Sequence, residues 1–346
     1  MTDRRILLVD LAAKSRNWAL PPDSLARMRR EAPAGWSIAV VQAPTSSDGD
    51  GPDGGSDEAV RLIADAEVYF GFGFSKELLA ASRTLRWVHS AAAGVGNVLN
   101  TGIAATDIRI TNSAGIHGPP IAEFVVAGVL HFLRGLDVAI AQQRRREWSK
   151  AFFVADDSPL RELSDCRVLI VGAGGLGGET ARRLSALGAR CTGIRRRPEL
   201  GTPPGFAAIA GLDQLDAKLA EADILVLAAP LTADTSELMT RARLERLPRG
   251  AIVVNVARGA LLDESALVEL LSAGRIRGAV LDVFRHEPLE PDSPLWSLPN
   301  ALVVPHVSPV SPGRFWPRQL DLFLDNWRRY VSGEPLRNLV DTKAGY

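Results

Sequence analysis

Short apolar runs alternate with helical stretches along the C-terminal half of the chain. From Arg167 onward the runs are RVLIVG, RCTGI, DILVLAAP, AIVVNVA, GAVLDVF and ALVVPHV. Strands that are buried on both faces of a sheet read as continuous apolar runs. Their regular alternation with helices is typical of a parallel, doubly wound sheet. We therefore predict an α/β fold in which this region forms one parallel-sheet domain.

The N-terminal part shows a related but less regular pattern. Strands are predicted at Arg4–Asp10 and Trp36–Ala43, on either side of a helix near Leu25–Glu31. The later runs AEVYFGFGF and LRWVHSAAAGVGN also indicate strands that end in glycines. These elements predict a second parallel-sheet domain.

A segment rich in Gly, Ser and Asp, PTSSDGDGPDGGSD at 44–57, interrupts this pattern. It has almost nothing to bury, so we interpret it as a solvated loop. Asp48, Asp50 and Asp53 suggest a calcium loop, but the spacing lacks the central Gly and the terminal Glu of an EF-hand. No metal site is predicted.

Two longer helices are predicted outside the strand pattern. PPIAEFVVAGVLHFLRGLDVAIAQQRRREW, Pro119–Trp148, reads as one long helix with apolar residues on more than one face. Such a helix is usually buried between domains or subunits. The tail QLDLFLDNWRRYVSG reads as a helix that Gly333 ends.

Composition narrows the class of protein. A length of 346 residues favours two domains. Lys+Arg and Asp+Glu both number 40, so the net charge is zero, which argues against a nucleic-acid or membrane-surface partner. Only two cysteines occur, and the apolar run in MTDRRILLVDL is too short for a signal peptide. We expect a soluble, cytoplasmic protein without a disulfide framework.

The stretch VLIVGAGGLGG carries a G-x-G-x-x-G pattern between a predicted strand and the helix that follows it. The first glycine of such a turn permits the tight bend, the second lets a pyrophosphate approach, and the third lets helix pack on strand. The phosphates then rest on N–H groups at the helix N-terminus. A purely structural turn is the alternative. The predicted dinucleotide-binding residues are Gly172, Gly174, Gly175, Leu176 and Gly177.

Three arginines follow the next strand, which is predicted to end at Ile194. An Asp or Glu at this place would hold the ribose hydroxyls of NAD, but the chain has Arg195, Arg196 and Arg197. A guanidinium binds a 2′-phosphate that a carboxylate would repel. We predict that Arg195 and Arg196 select NADP(H) over NAD(H). The alternative is a solvated turn with accidental cations.

Polar residues at the ends of later strands supply candidate catalytic groups. They are Arg258 in VNVARGALLDE, Asp282 and Glu287 in LDVFRHEPL, and His306 in VVPHVSP. Taken alone, His306 reads as an ordinary core histidine. Together with an Arg and a Glu, it supplies the groups that reduction of a 2-oxo acid needs.

At these residues the chain resembles the D-isomer-specific 2-hydroxyacid dehydrogenase family, and within it the glyoxylate/hydroxypyruvate reductases. The matching stretches are HSAAAGVGN, TNSAGIHGPPIAEF, the glycine turn, AAPLTADTSEL, VNVARGALLDE, GAVLDVFRHEPL and VVPHVS. They extend from about Asp65 towards the C-terminus. Ordered motifs of this kind are far more selective than the glycine turn alone.

The resemblance implies a role for each catalytic candidate. His306 would protonate the developing alkoxide, and Glu287 would bind its imidazole and fix the ring. Arg258 would clamp the substrate carboxylate and polarise the 2-oxo group. Asp282 would hold the nicotinamide carboxamide. The resemblance also implies further residues: Ala93, Gly94 and Val95 around the substrate carboxylate, and Pro230, Thr235 and Ala257 along the cofactor.

The resemblance further implies the architecture. A Rossmann-type cofactor domain, residues 113–308, would be inserted into a flavodoxin-like substrate domain formed by residues 1–112 and 309–346, with the active-site cleft at their junction. The Pro119–Trp148 helix resembles the family's dimerisation arm, so we expect a homodimer. An ordinary buried interdomain helix is the alternative.

Two departures from the family pattern concern the substrate. Gly96 stands where the family often has Asp, and GIHGPP differs from the commoner loop. Phe70, Phe72, Phe74 and Trp316 either narrow the pocket or belong to the core. Relatives that oxidise another small anion, such as phosphite or formate, and dinucleotide-sensing corepressors built on this fold are the competing functions.

Overall fold

A computed structural model describes residues 5–13, 18–44, 55–343 and 345. Most of the Gly-, Ser- and Asp-rich segment at 44–57 therefore lies outside the described residues, including the three aspartates of the rejected calcium loop. The chain divides into two compact units, Met1–Ile116 with Ser311–Tyr346, and His117–Val310. We call them the first and the second unit. These divisions fall four and two residues after the predicted domain limits at 112 and 308.

The first unit is a five-stranded parallel sheet with helices. Its strands are β1 (Arg5–Asp10), β2 (Trp36–Val40), β3 (Val68–Gly71), β4 (Trp87–Ser90) and β5 (Arg109–Thr111). Their order, β2-β1-β3-β4-β5, is the flavodoxin-like order that was expected. The helices are α1 (Pro22–Arg30), α2 (Asp57–Leu62), α3 (Lys76–Ala81), α4 (Gly96–Leu99) and the C-terminal α12 (Phe315–Ser332).

Aromatic side chains form the core between the first sheet and α12. Phe323 stacks on Phe70 with ring centroids 4.1 Å apart. The four aromatic residues considered for a substrate pocket, Phe70, Phe72, Phe74 and Trp316, are all buried, with at most 4% of their surface exposed. Three of them belong to this core cluster and Phe74 to its neighbour across the sheet. Their burial favours the core interpretation. Gly333 ends α12 in a left-handed conformation with φ 72°, as predicted.

A buried polar network surrounds His89 on β4. The Ser113 hydroxyl donates to the Ser90 carbonyl (2.8 Å), so towards His89 Nε2, at 3.3 Å, it acts as acceptor. His89 Nδ1 lies 2.7 Å from the Thr111 hydroxyl, which accepts from the Trp87 indole (2.8 Å) and has its own proton to donate. These bonds assign His89 as the neutral tautomer with its proton on Nε2. Burial lowers the pKa of His89 from 6.5 to about 3.

The second unit is a seven-stranded parallel sheet with helices. Its strands are β6 (Arg167–Val171), β7 (Arg190–Ile194), β8 (Ala208–Ala210), β9 (Ile224–Leu227), β10 (Ala251–Asn255), β11 (Ile276–Leu281) and β12 (Ala301–Val303). The strand order is β12-β11-β10-β9-β6-β7-β8, with all neighbouring strands parallel. From the β6/β9 pair the chain adds strands first on one side and then on the other, as in a Rossmann fold. The helices are α5 (Gly118–Leu133), α6 (Leu136–Arg145), α7 (Ala151–Val154), α8 (Gly175–Ala186), α9 (Leu215–Leu219), α10 (Arg241–Leu244) and α11 (Glu264–Ser272).

The prediction of one long helix at Pro119–Trp148 is wrong. The segment forms two helices, α5 and α6, bent by 67° at a break around Gly135, which adopts φ 67°. Glycine takes this left-handed conformation without the penalty that other residues incur, so it interrupts the helix. The α5 helix packs into the core of the second unit, whereas none of the residues of α6 is fully buried. A bidentate ion pair between Arg277 and Asp137, with two contacts of 2.7 Å, fixes the start of α6.

In the described part of the chain no single helix has the length and apolar character to cross a membrane, and α5 with α6 passes that test only as a bent pair. The two cysteines, Cys166 and Cys191, are free and buried.

Candidate active site

The carboxyl ends of the strands in the second unit place the predicted site residues along one edge of the sheet. All neighbouring pairs are parallel, so these ends meet on the same side. Each of these residues ends a strand or follows one, so the order of the strands in the sheet gives the spatial order of the residues along this edge. That order is Arg195, Gly172, Pro230, Arg258, Asp282 and His306. The point where the chain changes sides, between β9 and β6, lies in the middle, where open α/β sheets bind ligands.

The glycine turn joins β6 to α8 with the geometry that a dinucleotide requires. Gly172 has φ 105°, and a Cβ there would lie 2.6 Å from the Ala228 backbone. A Cβ on Gly177 would overlap the Gly172 carbonyl oxygen, so only glycine lets the helix approach the strand. Gly174 has open space around its Cβ position. The N–H groups of Gly175, Leu176 and Gly177, at the start of α8, have no acceptor within the helix. They can therefore donate to the oxygens of a pyrophosphate, so the turn fits this group.

The arginines that follow β7 lie beside this turn. The Gly172 N–H donates to the Ile194 carbonyl at 2.8 Å, which connects the turn to the residue before Arg195. The Arg195 backbone is held by the Ala210 carbonyl, at 3.1 Å, and its guanidinium lies 3.4 Å from the Gly201 carbonyl. The Arg196 guanidinium is 3.5 Å from the carboxylate of Asp234. Two cations thus stand at the adenosine end of the predicted cofactor site.

The loop after β9 brings together two residues predicted to line the cofactor. The Thr235 hydroxyl donates to the Pro230 carbonyl at 2.7 Å and accepts from the Thr232 N–H at 2.7 Å. Pro230 is exposed and Thr235 partly so. The structure therefore presents this loop at the sheet edge, and its contact with a cofactor remains a prediction.

Arg258 follows β10 in a turn that the side chain of Asn255 organises. Asn255 accepts from the Ala257 N–H at 3.1 Å and donates to the Arg258 carbonyl at 3.0 Å. The Arg258 guanidinium donates to the Ala257 carbonyl at 2.7 Å. A Cβ on Gly259 would overlap the backbone of Phe284, so the turn that carries Arg258 touches the loop after β11.

His306 and Glu287 form a hydrogen-bonded pair. His306 Nδ1 lies 2.8 Å from Glu287 Oε2, and Glu287 Oε1 accepts from the Phe284 N–H at 2.9 Å. The carboxylate is therefore anchored on one side and holds the imidazole on the other. Both side chains are partly exposed, at 27% and 36%. His306 has φ 52°, a left-handed conformation that is uncommon outside glycine and frequent at functional sites.

Asp282, at the end of β11, is 1% exposed and accepts several hydrogen bonds from the segment after His306. Its Oδ1 accepts from the N–H groups of Val307, at 2.8 Å, and Ser308, at 3.1 Å. Its Oδ2 accepts from the Ser308 hydroxyl. Asp282 thus holds the backbone that carries His306, and its predicted contact with a nicotinamide carboxamide stays a prediction.

The predicted substrate residues of the first unit lie in the loop between β4 and α4. Ala93 and Gly94 are exposed, whereas Val95 is buried at the start of α4. The Ala93 carbonyl accepts from the Asn112 amide at 2.8 Å, which fixes this loop. Gly96 has open space at its Cβ position, so the departure from the family's Asp is not imposed by packing. The substrate contact of this loop is untested.

Sequence reasoning missed three residues of the second unit that shape the site. Asn255 and Ser308 position neighbouring backbone, and Gly259 permits the close approach of two loops. Asn255 could have been noticed as the polar end of an apolar run. Nothing in the sequence pattern distinguishes Ser308 from its neighbours.

The geometry provides the groups that reduction of a carbonyl requires. A histidine held by a carboxylate can exchange a proton, and an arginine on the adjacent loop can bind a substrate carboxylate. Among the described residues there is no group of three or more His, Cys, Asp or Glu side chains placed to hold a metal ion.

Comparison with known proteins agrees with this arrangement. Residues 126–308 match the model of the D-isomer specific 2-hydroxyacid dehydrogenase family, NAD binding domain. A Corynebacterium melassecola protein described as an uncharacterized protein in the proB 3′ region is 30% identical over 85% of this chain and 94% of its own length.

Solved structures extend the likeness to the whole chain. A D-isomer specific 2-hydroxyacid dehydrogenase from Xanthobacter autotrophicus Py2, in complex with NADPH and MES, is 29% identical, covers 99% of each chain and has a TM-score of 0.78. An NADPH-dependent glyoxylate/hydroxypyruvate reductase from Sinorhizobium meliloti, in complex with NADP and sulfate, is 27% identical, with a TM-score of 0.77 over 99% of this chain and 100% of that one.

The sheet orders, the glycine turn and the family match lead to one assignment. The chain belongs to the D-isomer specific 2-hydroxyacid dehydrogenase family and is an NAD(P)-dependent oxidoreductase that acts on a CH–OH group of a 2-hydroxy acid or on the corresponding 2-oxo acid.

Proposed function

We propose that the protein uses NADPH to reduce a small 2-oxo acid of the glyoxylate or hydroxypyruvate type to the D-2-hydroxy acid. The observation that carries the proposal is the order of groups along one sheet edge. Arginines follow β7, the phosphate-binding turn follows β6, and the His306–Glu287 pair lies at the far end. This order matches the order of the parts of a dinucleotide, whose 2′-phosphate at the adenosine end needs anion recognition and whose nicotinamide end needs a nearby acid.

Arg195 and Arg196 carry the proposed preference for NADPH. Their guanidinium groups stand where a carboxylate would otherwise meet the ribose hydroxyls, and they can form charge-assisted hydrogen bonds with a 2′-phosphate. Two of the similar solved structures hold NADPH or NADP, at 29% and 27% identity. These two lines of support are independent of each other.

The chemical step is assigned to three side chains of the second unit. The cofactor supplies the hydride. Arg258 binds the substrate carboxylate and stabilises negative charge on the 2-oxo oxygen. His306 donates the proton from Nε2 to that oxygen as it becomes an alkoxide, because Nδ1 is held by Glu287. Glu287 is itself oriented by the Phe284 N–H, so the imidazole is aimed by a fixed chain of hydrogen bonds.

The exposed apolar surface after α5 supports the proposal of a homodimer. Leu136 and Ile140 on α6 are 48% and 41% exposed, Trp148 is 93% exposed and Val154 on α7 is 70% exposed. Four large apolar residues exposed within the single segment 136–154 favour an interface over scattered surface positions. A second copy of the chain is the partner we propose for this surface.

A substrate panel tests the proposed reaction. Oxidation of NADPH or NADH is followed at 340 nm with glyoxylate, hydroxypyruvate and pyruvate, and reduction of NADP⁺ or NAD⁺ is followed at the same wavelength with phosphite and formate. We expect the highest kcat/KM for glyoxylate or hydroxypyruvate with NADPH, and the D-enantiomer as the product from hydroxypyruvate. Turnover of phosphite or formate with inert 2-oxo acids would refute the substrate class, and cofactor binding without turnover of any of these would favour a sensing role.

A further inference from the structure

The segment after His306 forms a tight anion-binding turn around Asp282. Val307 and Ser308 direct successive backbone N–H groups at the Asp282 carboxylate, at 2.8 and 3.1 Å. The Ser308 hydroxyl adds a third donor on the other oxygen. Both side chains are buried, with 1% of Asp282 and 6% of Ser308 exposed. A buried carboxylate is stable only when such donors replace its lost water.

This turn compensates the unusual backbone of His306. A left-handed residue other than glycine costs free energy, so surrounding contacts must impose it. The conformation allows the two following N–H groups to converge on one anion, as in a backbone nest. Asp282 therefore fixes the backbone that directly follows His306, while Glu287 binds the His306 imidazole.

The Ser308 hydroxyl orients the carboxylate in this arrangement. Oδ1 receives the two short backbone bonds, whereas Oδ2 is reached by the Ser308 N–H at 3.3 Å and by the hydroxyl. Without the hydroxyl, Oδ2 would keep only the longer bond among the described residues. A buried carboxylate with a missing donor would rotate or admit water, and the turn that carries His306 would lose its fixed geometry.

We propose that Ser308 is a positioning residue for the reduction, acting through Asp282 to keep the His306 imidazole aligned between Glu287 and the substrate. The inference rests on the proposed role of His306 in proton transfer. It assigns to Ser308 an effect on the chemical step that is larger than any effect on cofactor binding, because its hydroxyl is directed at Asp282 and does not contact the glycine turn or the arginines after β7, where the cofactor phosphates are proposed to bind.

Ser308→Ala tests the proposal, with Ser308→Thr to restore the hydroxyl and Ser297→Ala as the matched control. Ser297 lies in the same unit, and its hydroxyl donates to the Pro294 carbonyl in an exposed turn. We expect kcat for hydroxypyruvate to fall about tenfold in Ser308→Ala, as befits one lost bond to a charged group. The KM for hydroxypyruvate and the Kd for NADPH, measured by fluorescence, should stay within about twofold. Ser308→Thr should recover most of kcat.

A kcat within twofold of the wild type in Ser308→Ala would overturn the proposal. A loss of NADPH affinity as large as the loss of kcat would also overturn it, because Ser308 would then act on cofactor binding and not on the alignment of His306.

Hydrogen exchange in the free protein separates this proposal from the proposed function. Ser308→Ala should speed amide exchange in a peptide covering 304–310 and leave the peptide covering 172–180 unchanged. Unchanged exchange at 304–310 would contradict the positioning role whatever the substrate is. If exchange at 304–310 speeds up as expected but the wild type reduces no 2-oxo acid, the proposed function is wrong, whereas the role of Ser308 in fixing the turn after His306 is supported.

Discussion

Replacing Arg195 with Asp should reverse the proposed preference of the enzyme for NADPH over NADH. Arg195 directly follows β7, next to the glycine turn. Its guanidinium lies 3.4 Å from the Gly201 carbonyl, a weak contact that the substitution would remove. The substitution removes a cation that can bind the 2′-phosphate of NADPH. It also introduces a carboxylate that can accept hydrogen bonds from the ribose hydroxyls of NADH.

The magnitude follows from the charge and the exposure of this position. A hydrogen bond to a charged group contributes about 1.5–3 kcal/mol, which corresponds to about ten- to a hundredfold in binding. Repulsion between the new carboxylate and the phosphate adds to this loss. Because Arg195 is partly exposed, salt screens the interaction, and the preference of the wild type for NADPH should weaken as ionic strength rises.

The assay compares kcat/KM for NADPH and NADH at saturating hydroxypyruvate in the wild type, Arg195→Asp and Arg190→Asp. Arg190 begins the same strand and is exposed, so it receives the same change of charge at a distance of about 16 Å. We expect the reversal in Arg195→Asp alone. Equal use of both cofactors by the wild type, or an equal effect of Arg190→Asp, would refute the selector role.

Three further changes test other parts of the structure. Ile140→Glu should convert the proposed dimer to a monomer in sedimentation, since it places a charge on the exposed face of α6. Val331→Glu, at a 40% exposed residue of α12, should leave the proposed dimer intact. Gly259→Ala should lower kcat/KM by tenfold or more, because its Cβ would push the Arg258 turn away from Phe284, and an unchanged kcat/KM would contradict the close approach. Burial depresses the pKa of His89 to about 3, so its contribution to stability is present above about pH 6.5 and is lost as the pH falls, by on the order of 4 kcal/mol towards pH 3. Urea unfolding of wild type and His89→Gln from pH 7 to pH 4 should therefore show a smaller loss of stability in the variant, and parallel curves would contradict the buried neutral imidazole.

The sheet of the second unit could be predicted from the sequence because its strands are continuous apolar runs separated by helices. The same reasoning located the glycine turn and named Glu287 and His306 as candidates near strand ends. Their pairing was implied by the family resemblance, and the structure shows the contact. The three-residue strands β5 and β8 were not identified, whereas β12, which has the same length, was predicted within the longer run ALVVPHV.

The helix break at Gly135 shows the limit of periodicity. Apolar residues continue across the break at nearly helical spacing, so the pattern predicts one helix, whereas a single glycine with φ 67° divides it. Likewise, the four aromatic residues of the first unit fit both a pocket and a core by type. Only their burial in three dimensions favours the core.

The hydrogen-bond partners of Asp282 could not have been read from the sequence. A carboxylate at a strand end suggests a ligand, and the resemblance suggested a cofactor contact. In the structure it binds backbone 25 and 26 residues further along the chain, because β11 and β12 are neighbours. Contacts of this kind depend on register between strands, which local pattern does not contain.

The central claim is that His306 supplies the proton for reduction of a 2-oxo acid at the edge of the second sheet. Rapid mixing of the NADPH-loaded enzyme with hydroxypyruvate, followed at 340 nm, measures the rate of the chemical step in the wild type and in His306→Ala. The account predicts that this rate falls by about 10²–10⁴-fold in His306→Ala, while the Kd for NADPH changes less than about twofold. A rate in His306→Ala close to that of the wild type would contradict the account.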